Sequence, residues 1–323
     1  MKELTELANG VVLDSPNLQP GVIALANEAR FSSRHFSEPL TAYSLGWRDR
    51  ENIEETLNFI APPIQTPRKV EFKKADNAQV FYSETDDVRA IGSGFKRVEY
   101  TGTTAIVKTL NKGLTFRADH DEWDEVPNWQ QNVVGMLKQR LLRNEFRRVL
   151  AAILAGATNT AKTWDTTAGK DPDQDVLTDL IAAVDSSGVR PNRVLYGDIA
   201  WNKRAVALRA QTNAGGFSNA GMTPDQVAGF LGVSGVKISR ERYQSAAAAK
   251  SKVVPDVVLE FYAEDGAFLD DPSNSKRFWT PCRGGGMFAV YVQEHDKFTD
   301  ITVEHYSIGV VPSTLGLRKL TIS

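Results

Sequence analysis

Cysteine is nearly absent from this chain. Cys282 is the single thiol among 323 residues, which excludes an internal disulfide and a thiolate zinc site and fits a reducing compartment. Histidine is scarce as well, and of the four, His35, His295 and His305 stand alone among polar or strand-forming neighbours, as structural histidines do. Neither sign of charge dominates. Lys and Arg number 38 against 40 Asp and Glu, a net charge of −2, so there is no global positive excess for nucleic acid and any such contact has to be local. Long apolar runs are missing too. No segment approaches the ~20 apolar residues of a membrane span. The opening MKELTELANGVVLDSPN carries three acidic groups and no signal-peptide core. These absences predict a soluble, cytoplasmic protein without repeats or a low-complexity tail.

Catalytic signatures are equally thin. Asp119, His120, Asp121 and Glu122 could form a metal or acid/base cluster, but the spacing is wrong for a calcium loop, and a solvated acidic turn ahead of a helix is the plainer reading. Gly284, Gly285 and Gly286 precede a strand, whereas a phosphate cradle needs glycines after a strand and opening a helix. Gly92, Ser93 and Gly94 have no helix after them, so a dinucleotide fingerprint or nucleophile elbow is unsupported. Cys282 has no histidine near it in sequence and reads as a buried or incidental thiol. No cofactor, metal or catalytic residue is expected.

What the chain does have is one long amphipathic stretch. From Val126 to Ala157 large apolar residues recur every three or four positions, at Trp129, Val133, Leu137, Leu141, Leu142, Phe146, Val149, Leu150, Ile153 and Leu154. This predicts a helix roughly 40 Å long with one buried face. Pro127 suits a first turn and Gly156 a left-handed close. The expected core contacts of this spine are Trp129, Val133, Leu137, Leu141, Phe146 and Leu150. Acidic residues precede it, and Lys138, Arg140, Arg143, Arg147 and Arg148 lie in its second half, an order that suits the helix dipole. Pairing with an acidic arm of the same or a neighbouring chain is the plainer role for those cations than phosphate contact.

Around the spine the pattern shifts. Residues 1 to 60 hold five basic against nine acidic groups and few apolar side chains, with a short amphipathic piece at Glu3 to Ala8 and a helix around Arg50 to Leu57, which predicts an arm that orders itself against another surface. After Pro62, Pro63 and Pro67, strands follow to Glu122, and Asp76 to Gly102 reads as a two-stranded excursion too polar to stand alone. Thr158 to Pro172 reads as a loop. Asp173 or Asp175 caps a helix to about Asp185 with Val176, Leu177, Leu180, Ile181 and Val184 inward. Arg193 to Tyr196 is a strand, Asp198 caps the next helix, Thr212 to Gly221 is a flexible loop, and Thr223 with Pro224 starts a helix ending near Gly232. Strands are expected at Val236 to Ile238, Val257 to Tyr262, Met287 to Val292, Phe298 to Val303, Ile308 to Val311 and Leu317 to Ile322, with Ala246 to Ala249 in a loop.

The order of arm, extended hairpin, spine, α/β region and closing strands resembles the major capsid protein of tailed bacteriophages, whose shell fold is shared with encapsulins and the herpesvirus capsid floor. The resemblance runs from about Pro67 to Ser323 and rests on KTLNKGLTFRADHDEW leading into the spine, the LAAILAGATNTAKTWD exit, and RVLYGDIAWNKRAVALRAQ followed by TPDQVAGFLGV and VKISRERYQ. It implies an α+β shell fold with an N-terminal arm (1–66), strands bearing an extended loop (67–125), a spine helix in a peripheral domain (126–170), an α/β axial domain (171–285) and closing strands shared between them (286–323). It implies a structural, non-enzymatic subunit that assembles with itself into pentamers and hexamers of an icosahedral phage head enclosing double-stranded DNA. Portal and separate scaffolding or decoration proteins are the implied partners, DNA contact is weak and non-specific, no membrane is involved, and the virion, assembled in host cytoplasm, is the location. Val80, Tyr82, Arg89, Phe95, Lys96 and Tyr100 would meet a neighbouring subunit, and Asn213, Gly215, Phe217 and Asn219 would face a symmetry axis. An encapsulin-type compartment is the alternative within the fold, and an α/β enzyme using Asp119, His120 and Glu122 the alternative outside it.

Overall fold

The computed structural model describes residues 35–47, 52–74, 103–123, 125–212, 214–244, 250–266 and 272–323, with 88–89, 91–92, 94–95 and 97. Its first half comprises α1 (Glu38–Gly46), α2 (Ile53–Ile60), β1 (Pro63–Gln65), β2 (Lys69–Lys74), β3 (Thr103–Lys108), β4 (Leu110–Asp119), α3 (His120–Trp123) and the long α4 (Trp129–Gly156). Then follow β5 (Thr158–Lys162), α5 (Pro172–Ser187), β6 (Arg193–Gly197), α6 (Asp198–Arg209), α7 (Ala214–Asn219), α8 (Pro224–Leu231), β7 (Gly235–Ser239), β8 (Arg242–Gln244) and β9 (Lys250–Lys252). The chain closes with β10 (Val257–Phe261), β11 (Lys276–Thr280), β12 (Phe288–Glu294), β13 (Phe298–Val310) and β14 (Arg318–Ile322).

The spine is α4, 28 residues in one piece, and Val133, Leu137, Leu141, Phe146 and Leu150 are buried as its periodicity requires. Trp129 is only half-buried, packed beside Trp123. Both ends differ from expectation. Pro127 lies outside the helix, ahead of the N-cap Asn128, which takes the left-handed conformation at φ 57°. Gly156 is the last helical residue rather than a left-handed cap, because the chain runs straight through extended Ala157 into β5. Lys319 Nζ donates to the Leu154 carbonyl at 2.8 Å, so a cation from a distant strand supplies the cap a glycine was expected to provide.

The spine lies across a five-stranded sheet in the order β1-β11-β13-β12, with β4 on the far side of β13. β13 runs unbroken for 13 residues, correcting the expected pair of strands. Its apolar alternation is interrupted by three buried polar residues: Ser307 donates to Glu145 of α4, Glu304 accepts from Tyr291 of β12 and Asn111 of β4, and His305 stacks on Phe288. At the crossing Gly309 admits the spine: a Cβ there would stand 2.5 Å from Val149 Cγ2.

The second sheet runs β5-β14-β10-β6-β7, and its strands β10 and β6 are buried on both faces. Leu195, Val257, Leu259 and Phe261 turn into the core that the spine shares. Their strand neighbours Val194, Tyr196 and Val258 turn into a second core under α5, α6 and α8. Period-2 side-chain alternation therefore makes one sheet the partition between two cores. Neither β5 nor β11 was expected; β5 is polar and owes its strand form to parallel pairing with β14.

Further corrections concern caps and packing. Asp171, not Asp173 or Asp175, caps α5 by accepting from Gln174 N at 3.1 Å, and Asp173 is buried against Arg204. Ile181 is exposed, and Ala183 takes the inward place. Gly197 is the N-cap of α6, so Asp198 is its first helical residue. Residues 214–219 form α7 rather than a loop, and Arg204 Nη2 holds the Asn219 carbonyl at 3.2 Å. Thr223 and Gln226 form the capping box of α8, and Gly232 closes it at φ 65°.

Within the segment expected as an arm, α1 and α2 pack on the body, with Leu40, Ile53, Leu57 and Ile60 in the spine core. α1 had not been expected, and α2 lies three residues later than the helix foreseen around Arg50 to Leu57. Trp47 crosses the spine at Gly135, where a Cβ would come within 2.8 Å of its Nε1. The base of the predicted hairpin is the antiparallel pair β2 and β3, seated by Val70 and Phe72 on Phe278. The N-terminal piece Glu3 to Ala8, most of Asp76 to Gly102, and Ala246 to Ala249 lie outside the described residues.

Candidate functional site

The catalytic candidates come apart in space. His120 Nε2 lies 2.9 Å from Thr299 Oγ1, Asp119 Oδ1 accepts the Asp121 amide at 3.0 Å, and Asp121 and Glu122 face solvent. Among the described residues no group of three His, Cys, Asp or Glu side chains could hold a metal ion. Gly284 and Gly285 take positive φ in a turn before β12. Burial, helped by Glu304, pushes the Cys282 thiol up to about 11, so it is a poor nucleophile. His305 is stacked on Phe288, and burial pulls it down to about 3, which keeps it neutral. Among the described residues no helix is long and apolar enough to cross a membrane.

A buried charge cluster instead holds the spine to the sheet. Glu145, 1% exposed in mid-helix, accepts from Lys112 Nζ at 2.6 Å and from Ser307 Oγ at 2.8 Å, with Arg148 at 3.6 Å. Burial alone would raise its pKa; Lys112, His305 and Arg277 outweigh that and hold the carboxyl at about 2. Burial lowers the Lys112 and Arg277 values. Sequence reasoning missed this cluster because Glu145, Lys112 and Ser307 come from three separate elements; the one available signal was an acidic residue inside an apolar helical stripe.

The expected contact residues sit differently. Arg89 and Phe95 are exposed with the guanidinium 5.2 Å from the ring centroid, and Val88 and Ile91 nearby are also exposed. Val80, Tyr82, Lys96 and Tyr100 lie outside the described residues, as do Asn213 and the side chain of Phe217. Gly215 is exposed on α7 and Asn219 is half-buried at its end. Large apolar side chains are also exposed on the outer helices at Ile181, Val206 and Phe230.

A cavity of about 1150 Å³ opens between α2, the spine and the β7–β8 region, lined in part by Glu55, Arg143, Lys237, Arg240, Glu241 and Tyr243. Among the described residues Lys138 of the spine meets the acidic N-terminal segment: it lies 3.5 Å from Glu54 and donates to the Ser44 carbonyl at 2.7 Å. Arg143 pairs with Glu241, and Arg147 stacks on Tyr243 at 3.6 Å. The cavity walls carry charged side chains of both signs, some of them paired, a lining suited to contact with another charged surface.

No family model matches the chain, and no curated protein matches it. Solved structures do. A phage-related protein from Bordetella bronchiseptica RB50 superposes with a TM-score of 0.64 at 17% identity, over 90% of this chain and 97% of that one. The capsid of cyanophage P-SCSP1u gives 0.52 at 10% identity, covering 82% and 86%. A structure from Gordonia phage Cozz gives 0.51 at 12%, covering 97% and 98%. Identities this low establish the fold: the chain has the mixed helix-and-sheet shell fold of phage capsid proteins.

Proposed function

We propose that this chain is the structural subunit of a phage head, copies of which assemble into pentamers and hexamers of an icosahedral shell around double-stranded DNA. One observation carries the reading: the fold superposes on that of a phage-related protein with a TM-score of 0.64, over 90% of this chain and 97% of that one. The exposed apolar side chains at Val88, Ile91 and Phe95 support a loop at 76–102 that lies on a neighbouring copy, since isolated chains rarely leave such groups in water. The helices around α7 would meet their copies near the symmetry axes, with Gly215 and Asn219 closest. The remainder of the N-terminal segment would reach across neighbours. Portal, scaffolding or decoration proteins, assembly in host cytoplasm and weak contact with packaged DNA complete the proposal, and no catalysis is assigned.

Size-exclusion chromatography and negative-stain electron microscopy of the expressed protein test it. Rings or closed particles of megadalton mass are the expected result. A monodisperse monomer or small oligomer at high concentration overturns it.

A further inference from the structure

The charges of this chain cancel in sum but not in place. Arg140, Arg143 and Arg147 recur three and four residues apart on α4 and so share one side of the helix, with Arg140 exposed. Arg147 lies against the Tyr243 ring, an arrangement that occupies the flat face of the guanidinium and leaves its N–H edge available. Across the same cavity Arg240 is 74% exposed, with only a 3.6 Å contact to Asp198, and exposed Lys250 lies at the margin. Among the described residues Arg140, Arg147 and Lys250 meet no carboxylate.

The complementary charge lies ahead of the same helix. Asp121, Glu122 and Glu125 are exposed, and among the described residues they meet no lysine or arginine. Helical rise puts the two patches roughly 20 to 40 Å apart, so one copy cannot bring its own together. Two patches of opposite sign, one around Arg140 and Arg147 and the other around Asp121, Glu122 and Glu125, at separate stations along the spine, are what a head-to-tail contact requires.

We propose that the arginine row of α4 and the cavity beside it receive the acidic turn at Asp121, Glu122 and Glu125 of a second copy. This rests on the shell reading and adds its direction: each copy offers one patch of each sign, so the contact propagates around a ring. A short acidic turn fits better than a nucleic-acid backbone, because Glu55 and Glu241 line this cavity and Asp198 stands behind Arg240, so a continuous polyanion would meet carboxylates that a turn of three acidic groups can avoid. Exposed pairs are individually weak and screened by salt, which keeps the contact reversible and gives it orientation.

Charge exchange in the full-length chain tests the assignment. Wild type, Arg140→Glu/Arg147→Glu, Asp121→Lys/Glu122→Lys and the chain carrying all four changes are expressed, checked for folding by circular dichroism and urea midpoint, and assayed by sedimentation and electron microscopy at low and moderate salt. Each double reversal raises the protein concentration needed for assembly about tenfold or more, and the fourfold chain recovers most of that loss. If folded reversals assemble as wild type does, or if the fourfold chain stays as defective as either parent, the pairing is wrong. If the arginine reversal instead leaves assembly intact and abolishes retention of a short DNA duplex, the row is a nucleic-acid surface and the proposal falls. A wild-type chain that never assembles overturns the shell reading itself, which separates that failure from this one.

Discussion

Removing the charge of Glu145 should damage the protein more than removing the charge of Lys112, although the two form one ion pair. Glu145 stands in a positive field: Lys112 Nζ is at 2.6 Å, Arg148 at 3.6 Å, and Arg277 acts on it through space. Glu145→Gln keeps the shape and an oxygen for Ser307, but it leaves a buried ammonium and a fully buried guanidinium without their anion. The cost expected for breaking a buried pair from that side is about 3 to 5 kcal/mol. Lys112→Met leaves the carboxylate with the Ser307 hydroxyl and both arginines, so its cost should be nearer the ~1.5 to 3 kcal/mol of a lost charged hydrogen bond. The double variant should recover at least about 1.5 kcal/mol relative to the sum. Urea denaturation of dissociated subunits at pH 7, followed by tryptophan fluorescence, measures all three. Losses that add within ~0.5 kcal/mol, or a lysine variant worse than the glutamate variant, would refute the picture of one anion serving several cations.

Other outcomes follow from single features. His305 is held at about 3 by burial, below its ordinary 6.5, so the unfolded chain binds a proton that the folded chain refuses. Stability should therefore be complete above pH 6.5 and fall by up to ~1.4 kcal/mol per pH unit as pH drops toward 3, with Glu145, held at about 2, adding to the loss below its ordinary 4.5; His305→Asn should flatten the pH 6.5 to 5 part of urea-midpoint profiles, and an unchanged slope rejects this. Gly309→Ala places a methyl 2.5 Å from Val149 Cγ2 and should cost about 1 to 3 kcal/mol, with Val149→Ala in the same chain relieving the clash; thermal unfolding of the two variants decides. Cys282, 7% exposed with its thiol raised to about 11, should resist a chromogenic disulfide reagent at pH 8 and react with one equivalent only on unfolding, and rapid labelling of folded protein would contradict its burial.

Much of the framework could be read before folding was considered. The spine was legible because its apolar spacing is long and regular, and α8 because threonine, proline and glycine mark its ends by local chemistry. β5 and β11 were not, since a polar strand is made by the neighbours it pairs with rather than by its own side chains. Asp173 shows the same limit. Its place in sequence suits a cap, and only the fold reveals Arg204 waiting behind it, bonded through Nε at 2.6 Å. The spacing of Asp119, His120, Asp121 and Glu122 suggests a solvated turn, and the structure sets His120 beside Thr299 with Asp121 and Glu122 facing solvent. The buried cluster at Glu145 left one trace, an acidic residue within the apolar stripe, and its partners Lys112 and Ser307 are brought in only by the fold.

The position of β14 bears on how the protein is born. It fills the gap between β5 and β10, although it is synthesised more than fifty residues after the later of them. Until it leaves the ribosome, two strand edges stand open beside each other, each able to accept an identical strand from another nascent chain. Crowded polysomes should then favour exchanged, interlocked dimers over single subunits, and slow translation of the preceding stretch would prolong the hazard. The gap between β5 and β10 is thus the last part of the fold to close.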